Sequence, residues 1–112
     1  MHRLDVTDLP DQPSAAAARF HGHWLAQAEA LAAGGDVSLV FAPADHTHSG
    51  WRLAAVQTLA REHAPRRVNA VASGDPAAIA AALDYLAAAP GVTGQYLPLD
   101  SAGVGIVVSP TA

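Results

Sequence analysis

Two short apolar runs, each followed by a turn and a helical segment, constrain the fold of this chain most strongly. They are DVSLVFAP, residues 36–43, and RVNAVA, residues 67–72. A strand that is apolar along nearly its whole length is typical of a parallel sheet covered on both faces, because a strand with one wet face alternates apolar and polar residues. The pattern therefore predicts strands alternating with helices around a parallel sheet.

The other elements continue this alternation. A short strand at residues 3–6 precedes a helix that begins near Asp11 or Ser14 and ends at Gly34–Gly35. That helix buries one face at helical spacing, made of Phe20, Trp24, Leu25, Ala28, Leu31 and Ala32. A second helix is predicted over residues 51–63, with Leu53, Val56, Leu59, Ala60 and His63 on one face.

The third helix has a clear start signal. Asp75 is predicted as its N-cap and Pro76 as its first residue, and the helix runs to about Ala89. Two short strands follow, in GQYLPL and GVGIVVS, around the turn DSAG at residues 100–103. Pro98 indicates that the first of them lies at an edge or ends there.

These elements predict an α/β fold formed by residues 1–112 as a single domain. We expect a small three-layer Rossmann-like domain, with a mostly parallel sheet of four or five strands and three helices. Hydrophobic residues make up 51% of the chain, which is enough for a core, but alanine dominates them. Each alanine buries little apolar area, so a second subunit would help the fold.

Charge and composition exclude several classes of protein. The net charge is -4, and the six basic residues are scattered, so we expect no nucleic-acid partner. The start of the chain, MHRLDVTDLP, has no apolar run, and no stretch is long enough to span a bilayer. We therefore expect a cytoplasmic protein with no membrane partner.

Missing residue types exclude much covalent chemistry. The chain has no cysteine, which excludes disulfides, zinc thiolates and cysteine nucleophiles. All six Lys+Arg residues are arginine, so there is no lysine for a Schiff base or a phosphate-binding loop.

Two segments resemble the C-terminal part of the short-chain dehydrogenase/reductase family. LAREHAPRRVNAVASG, residues 59–74, is similar to that family's helix-to-strand segment, which typically ends in RVNAVAPG. AAIAAALDYLAAAPGVTGQYLPLD, residues 77–100, resembles its closing helix, TGQ turn and final strand. The two matches occur in the family's order and spacing, and the resemblance covers about residues 34–100.

The departures from the family are as informative as the matches. Its glycine-rich dinucleotide loop and its Asn-Asn-Ala-Gly motif do not occur. An ungapped alignment puts Asp45 at the tyrosine and Ser49 at the lysine of the family's catalytic Tyr-x-x-x-Lys. The two tyrosines of the chain, Tyr85 and Tyr96, lie in other segments. The resemblance therefore implies a truncated, degenerate relative, a pseudoenzyme without a cofactor.

Gly74 has two interpretations. In the family, a Pro-Gly turn at this place lies beside the nicotinamide, and here Ser73 replaces the proline. Gly74 could be a relic of that turn, or it could merely let the chain enter the N-cap of the third helix. The Gly-Asp-Pro cap alone explains the residue, and the second interpretation is favoured.

Histidine is plentiful, and one loop could hold a metal. His21 and His23 are two residues apart on a helix, so their side chains point away from each other. In the loop ADHTHSG, by contrast, Asp45, His46 and His48 could converge on one ion where a parallel strand ends. The alternative is a solvated loop in which Thr47 or Ser49 caps the next helix.

Trp51 and Trp24 are the predicted interface residues. Helical spacing places Trp51 away from the face of Val56 and Leu59, and a large aromatic residue off the core face often marks an interface. The resemblance to the family implies a homodimer formed through the first and second predicted helices, which carry these two tryptophans. The alternative is that Trp51 folds over its own loop.

The sequence favours a non-catalytic protein that acts by self-association or partner binding. The main alternative is a small oxidoreductase-like or ligand- or metal-binding protein that uses the loop Asp45-His46-Thr47-His48. A third possibility is a subunit that completes a site with another chain.

Overall fold

The computed structural model describes residues 1–99. Within them, four strands form one sheet: β1 (His2–Val6), β2 (Val37–Phe41), β3 (Val68–Ala72) and β4 (Tyr96–Pro98). All neighbouring strands are parallel and their order is β1-β2-β3-β4. The α/β fold and the parallel sheet are confirmed, and Pro98 lies at the end of its strand, one of the two predicted positions. The predicted turn at 100–103 and the strand in GVGIVVS lie outside the described residues.

The first predicted helix is one helical region with a change of winding. It consists of α1 (Pro13–Arg19), a π-helical segment (Phe20–Trp24) and α2 (Leu25–Gly34). The backbone N–H of Leu25 bonds to the carbonyl of Phe20, five residues earlier, which is the π-helical pattern. Sequence periodicity did not predict this segment, because one widened turn hardly changes the apolar pattern.

The remaining helices begin and end close to their predicted limits. A 3₁₀ turn (His46–His48) leads directly into α3 (Ser49–Glu62). Helix α4 (Pro76–Ala87) begins as predicted, since the carboxylate of Asp75 accepts a hydrogen bond from the N–H of Ala77. With the first region counted as one helix, three helices pack on the sheet.

Strand alternation divides the core between the two faces of the sheet. Both central strands are buried along their whole length, as the apolar runs predicted. One face is covered by the first helical region and α3; its core includes Phe20, Val37, Leu39, Phe41, Val56 and Leu59. The other face is covered by α4; its core is Val40, Val71, Ile79 and Leu86. This is the predicted three-layer arrangement.

The last crossover differs in hand from the first two. The strand order advances in one direction throughout, whereas the covering helix changes face between α3 and α4. The β3–α4–β4 crossover is therefore of opposite hand to the other two, although crossovers in parallel sheets are nearly always right-handed. Among the described helices, α3 and α4 therefore lie on opposite faces of the sheet.

Candidate functional site

A cavity of about 470 Å³ lies where β1 and β2 end. Its walls are the segment that follows β1, the segment that follows β2, and the first turn of α3. The lining residues are Val6, Thr7, Asp8, Leu9, Pro10, Asp11, Ala42, Pro43, Ala44, Asp45, His48 and Arg52. Carboxyl ends of parallel strands are the usual ligand-binding edge of α/β folds.

Arg52 is the most unusual residue of this cavity. Only 3% of its surface is exposed. Its Nη1 donates to the carbonyl oxygen of Ala42 at 2.9 Å and to the hydroxyl of Tyr96 at 3.0 Å. Within residues 1–99, its buried Nε has no hydrogen-bond partner, and no carboxylate forms an ion pair with it. Among residues 1–99, this buried charge therefore has no counter-charge.

Aromatic rings hold the Arg52 guanidinium in place. Its central carbon lies 4.5 Å from the centroid of the Phe41 ring. The rings of Trp51 and Tyr96 are 5.8 and 5.9 Å away. Cation–π attraction strengthens when the cation is desolvated, so these three rings offset part of the cost of burying the charge.

His48 joins the loop after β1 to the start of α3. Its Nδ1 lies 3.1 Å from the indole Nε1 of Trp51, and its Nε2 lies 2.8 Å from the carbonyl oxygen of Asp11. An indole N–H can only donate, so Nδ1 accepts, and Nε2 must carry the proton that is donated to Asp11. Both ring nitrogens of this buried, neutral imidazole are therefore engaged.

Asp45 caps the 3₁₀ turn. Its carboxylate accepts hydrogen bonds from the backbone N–H and the hydroxyl of Thr47. These two bonds, the hydroxyl bond first, lower the pKa of the Asp45 carboxyl below its ordinary value. Asp45 is thus an ionised carboxylate, at the position that the ungapped alignment assigns to the family's catalytic tyrosine.

Two of the three predicted metal ligands therefore line the cavity, but they do not form a cluster. Among residues 1–99, the one group of three donor side chains with ligand atoms within 4.8 Å of one another is Glu29, Glu62 and His63. It lies near the C-terminal end of α3, and the sequence did not predict it, since Glu29 comes from a different helix. Asp45, His46 and His48 stay candidate metal ligands on the basis of the sequence alone.

The structure corrects the predicted orientation of Trp51. Its ring is half-buried in the core, with ring centroids 5.6 Å from Phe20 and 5.7 Å from Phe41. Its indole N–H bonds to His48, so it folds over its own loop, as the alternative interpretation had it. Trp24 is likewise half-buried against the core, and its buried Nε1 has no partner among the described residues.

Sequence reasoning also missed Arg52. The buried residues of α3 are Arg52, Ala55, Val56, Leu59 and Ala60, whereas Leu53 is 37% exposed. The predicted stripe contained Leu53 because leucine is apolar. The predicted buried face was therefore displaced by one residue from the observed one. The available signal was that position 52 lies four residues before Val56, so that an arginine stands within the apolar stripe.

Gly74 lies in the segment that leads into α4. A Cβ on Gly74 would lie 3.5 Å from the ring of Pro43, in ordinary contact, and the hydroxyl of Ser73 accepts a hydrogen bond from the N–H of Asp75. Ser73, Gly74 and Asp75 thus form the entry to the helix.

Comparison with known protein families gives one match. A family model described as a short chain dehydrogenase-like protein matches residues 4–99. Neither a search of curated proteins nor a search of solved structures gives a significant match. In the described part of the chain, no helix has the length and apolar character needed to cross a membrane.

Proposed function

This chain belongs to the short chain dehydrogenase-like family, and we propose that it binds a small molecule without catalysing hydride transfer. The proposal has two parts, a site that binds and a reaction that does not occur. The cavity at the carboxyl ends of β1 and β2 supports the first part, and the residues at the family's catalytic positions support the second.

The cavity is the observation that carries the binding role. Its volume of about 470 Å³ lies within the usual range for small-molecule sites, roughly 300–1,000 Å³. Apolar and polar groups both line it, and it includes the buried cation of Arg52. A few polar groups in an apolar pocket are what orient a small ligand.

The catalytic positions support the absence of hydride transfer. A carbonyl reductase needs a group that donates a proton to the developing alkoxide. Asp45 stands at the tyrosine position with a lowered pKa, so it holds no proton near neutral pH. Ser49 stands at the lysine position, and the sequence has no lysine to replace it.

A ligand screen with a matched pair of variants tests the proposal. Ala44 is exposed and lines the cavity, so Ala44→Trp should fill its mouth without disturbing the core. Ala81 is exposed on α4, at the opposite face of the sheet, and Ala81→Trp is the control. We expect ligand-observed NMR with a panel of small metabolites to give binders that Ala44→Trp loses and Ala81→Trp keeps.

The same samples test the reaction. We expect calorimetric titration to show no micromolar binding of NADH or NADPH. Binders that Ala44→Trp retains, or a panel without binders, would contradict the binding role. Micromolar binding of either dinucleotide would contradict the non-catalytic role.

Self-association is a second candidate, supported by the exposed face of α3. Leu53 is the one exposed large hydrophobic residue on the helices of this layer within residues 1–99. Ala54 of α3 and three alanines of α2 are exposed as well. A two-fold contact there would bury apolar area that an alanine-rich monomer leaves exposed. Trp51 would support such a contact only indirectly, since its ring packs inside the monomer.

A further inference from the structure

We propose that Arg52 is the anchor for an anionic group of the cavity's ligand, and that this ligand carries a cationic or hydroxyl group at its other end. This inference rests on the proposed ligand-binding role and names the class of ligand. It follows from three observations: the charge of Arg52, which has no ion-pair partner among residues 1–99, the rigid support of this side chain, and the acidic residues of the cavity wall.

An arginine that served only the fold would normally be paired. Moving a guanidinium out of water is costly, and buried charges are usually matched by a carboxylate. Arg52 is 97% buried, and within residues 1–99 its only hydrogen-bond acceptors are neutral: the Ala42 carbonyl and the Tyr96 hydroxyl. Nε has no partner, and Nη2 makes no hydrogen bond to another described residue. Nη2 is thus the donor that remains for a further acceptor, since Nε is enclosed by the protein.

The support of Arg52 is that of a preorganised binding group. Nη1 is held by residues that follow β2 and lie on β4, and the guanidinium stacks on Phe41 of β2. Holding one side of a planar fork fixes the direction of its other donors. Arginine forks match the oxygens of carboxylate and phosphate groups in this way.

The rest of the cavity wall selects against a simple anion. Asp8, Asp11 and Asp45 also line the cavity, and His48 is neutral in its hydrogen-bonded form. The cavity lining thus contains three acidic residues and one arginine. A dianion would be repelled by the carboxylates, and a dication by Arg52. A molecule with an anion at one end and a positively charged or hydroxyl donor at the other satisfies both.

Four probes of equal chain length test this charge pattern. They are 4-aminobutyrate, succinate, 1,4-diaminobutane and 1,4-butanediol, which differ in their end groups. We expect 4-aminobutyrate to bind wild type most tightly, with the dicarboxylate and the diamine at least about tenfold weaker. Comparing β-alanine with O-phosphoethanolamine then distinguishes a carboxylate ligand from a phosphate ligand.

The role of Arg52 is tested by Arg52→Met, which keeps most of the side chain's volume and removes its charge. We expect this variant to lose the preference for 4-aminobutyrate over 1,4-butanediol, with binding at least about tenfold weaker. In wild type, the Nε–H resonance of Arg52 should shift on titration with 4-aminobutyrate. This shift is a direct readout that does not depend on a variant's stability. Arg52→Lys, which keeps the charge without the fork, should bind with intermediate affinity.

The outcomes separate the two proposals. Equal affinities of the four probes, an unmoved Arg52 Nε–H resonance in the bound protein, or full binding by Arg52→Met would overturn the assignment of Arg52. If binding of these probes were nevertheless lost in the Ala44→Trp variant, the proposal of a ligand-binding cavity would still be supported. Screening without any cavity binder would overturn the proposed function, and the role of Arg52 with it.

Discussion

Gly94 shows how one residue position fixes the loop that returns the chain to the sheet. Its φ is 73°, in the left-handed region, and its N–H bonds to the carbonyl of Val68 at 2.8 Å. On either side, the Thr93 hydroxyl accepts from the N–H of Val68, and the N–H of Gln95 donates to Asn69. This TGQ segment therefore wraps around the start of β3 and sets the position of Tyr96 beside Arg52.

We predict that Gly94→Ala destabilises the fold by about 1 kcal/mol, because a left-handed conformation costs this much for a residue with a Cβ. The Cβ itself would make ordinary contacts, the nearest at 3.6 Å from Ala60. Gly91→Ala is the control, since a Cβ there meets nothing within 4 Å. Urea denaturation of the three proteins measures the effect, and equal stability of the two variants would contradict it.

His48 decides what the histidine loop can do with a metal. Both of its ring nitrogens are engaged, so among its histidines the loop offers only the exposed His46 as a free imidazole. We predict that His46→Ala leaves any zinc-induced change in melting temperature unaltered. His63→Ala is the comparison, since His63 belongs to the group of three potential ligands with Glu29 and Glu62.

Differential scanning fluorimetry with and without zinc measures this. A one-to-one zinc response that disappears in His46→Ala would contradict the prediction and support a metal site in the loop.

At the scale of elements, the pair Asp36–Arg67 ties the starts of two strands to the end of a helix. Asp36 accepts from the backbone N–H of Arg67 at 2.7 Å, and its other oxygen lies 3.0 Å from the guanidinium. The same guanidinium donates to the carbonyls of Leu86 and Ala89 at the end of α4. A cation at a helix C-terminus is favourable, so one arginine stabilises three elements.

This pair predicts a pH dependence of stability. The backbone hydrogen bond from Arg67, more than the ion pair, holds the pKa of Asp36 below its ordinary value of 3.8. A carboxyl whose pKa is lower in the folded state stabilises the fold above the unfolded pKa, and this is lost as pH falls through the folded pKa. We expect Asp36→Asn to cost about 1 kcal/mol at pH 6, because a half-buried charged hydrogen bond is lost.

Denaturation curves between pH 7 and pH 2.5 measure this difference, which should be constant above about pH 5 and shrink below pH 4. The exposed Asp84→Asn, on α4, is the control. A difference between Asp36→Asn and wild type that persists unchanged at pH 2.5 would exclude the mechanism.

At the scale of the whole molecule, the prediction concerns the outward faces of α2 and α3. We predict a homodimer on this surface. Leu53→Glu would place a charge in the contact, and the variant should be monomeric with its fold retained. Tyr85, 58% exposed on α4, lies on the opposite layer, so Tyr85→Glu should remain dimeric. Trp51→Glu would remove core packing and is therefore a test of stability.

Light scattering after size exclusion, combined with circular dichroism, measures both properties. A wild-type monomer at high concentration would contradict the dimer, and an unchanged dimer in Leu53→Glu would exclude this surface.

The sequence alone determined the features whose cause is local. Two nearly continuous apolar runs predicted two central parallel strands, since a strand that is buried on both faces does not alternate apolar and polar residues. Asp75 and Pro76 predicted the start of α4, because an N-cap acts on the N–H groups of the next few residues. The motifs around Val68 and Gly94 placed the chain in its family, which the family match confirms.

Only the tertiary structure decided the cavity and the role of its residues. Whether Arg52 or Leu53 faced the core depended on one residue of helix rotation, which the aromatic rings of Phe41 and Tyr96 settle from two different strands. Trp51 turned inward because His48, itself held by Asp11, offers its indole an acceptor. Tyr96 and Arg52 are 44 positions apart, and Asp11 and His48 are 37 apart. Contacts over such separations depend on how the crossovers stack, and local propensity carries no information about that.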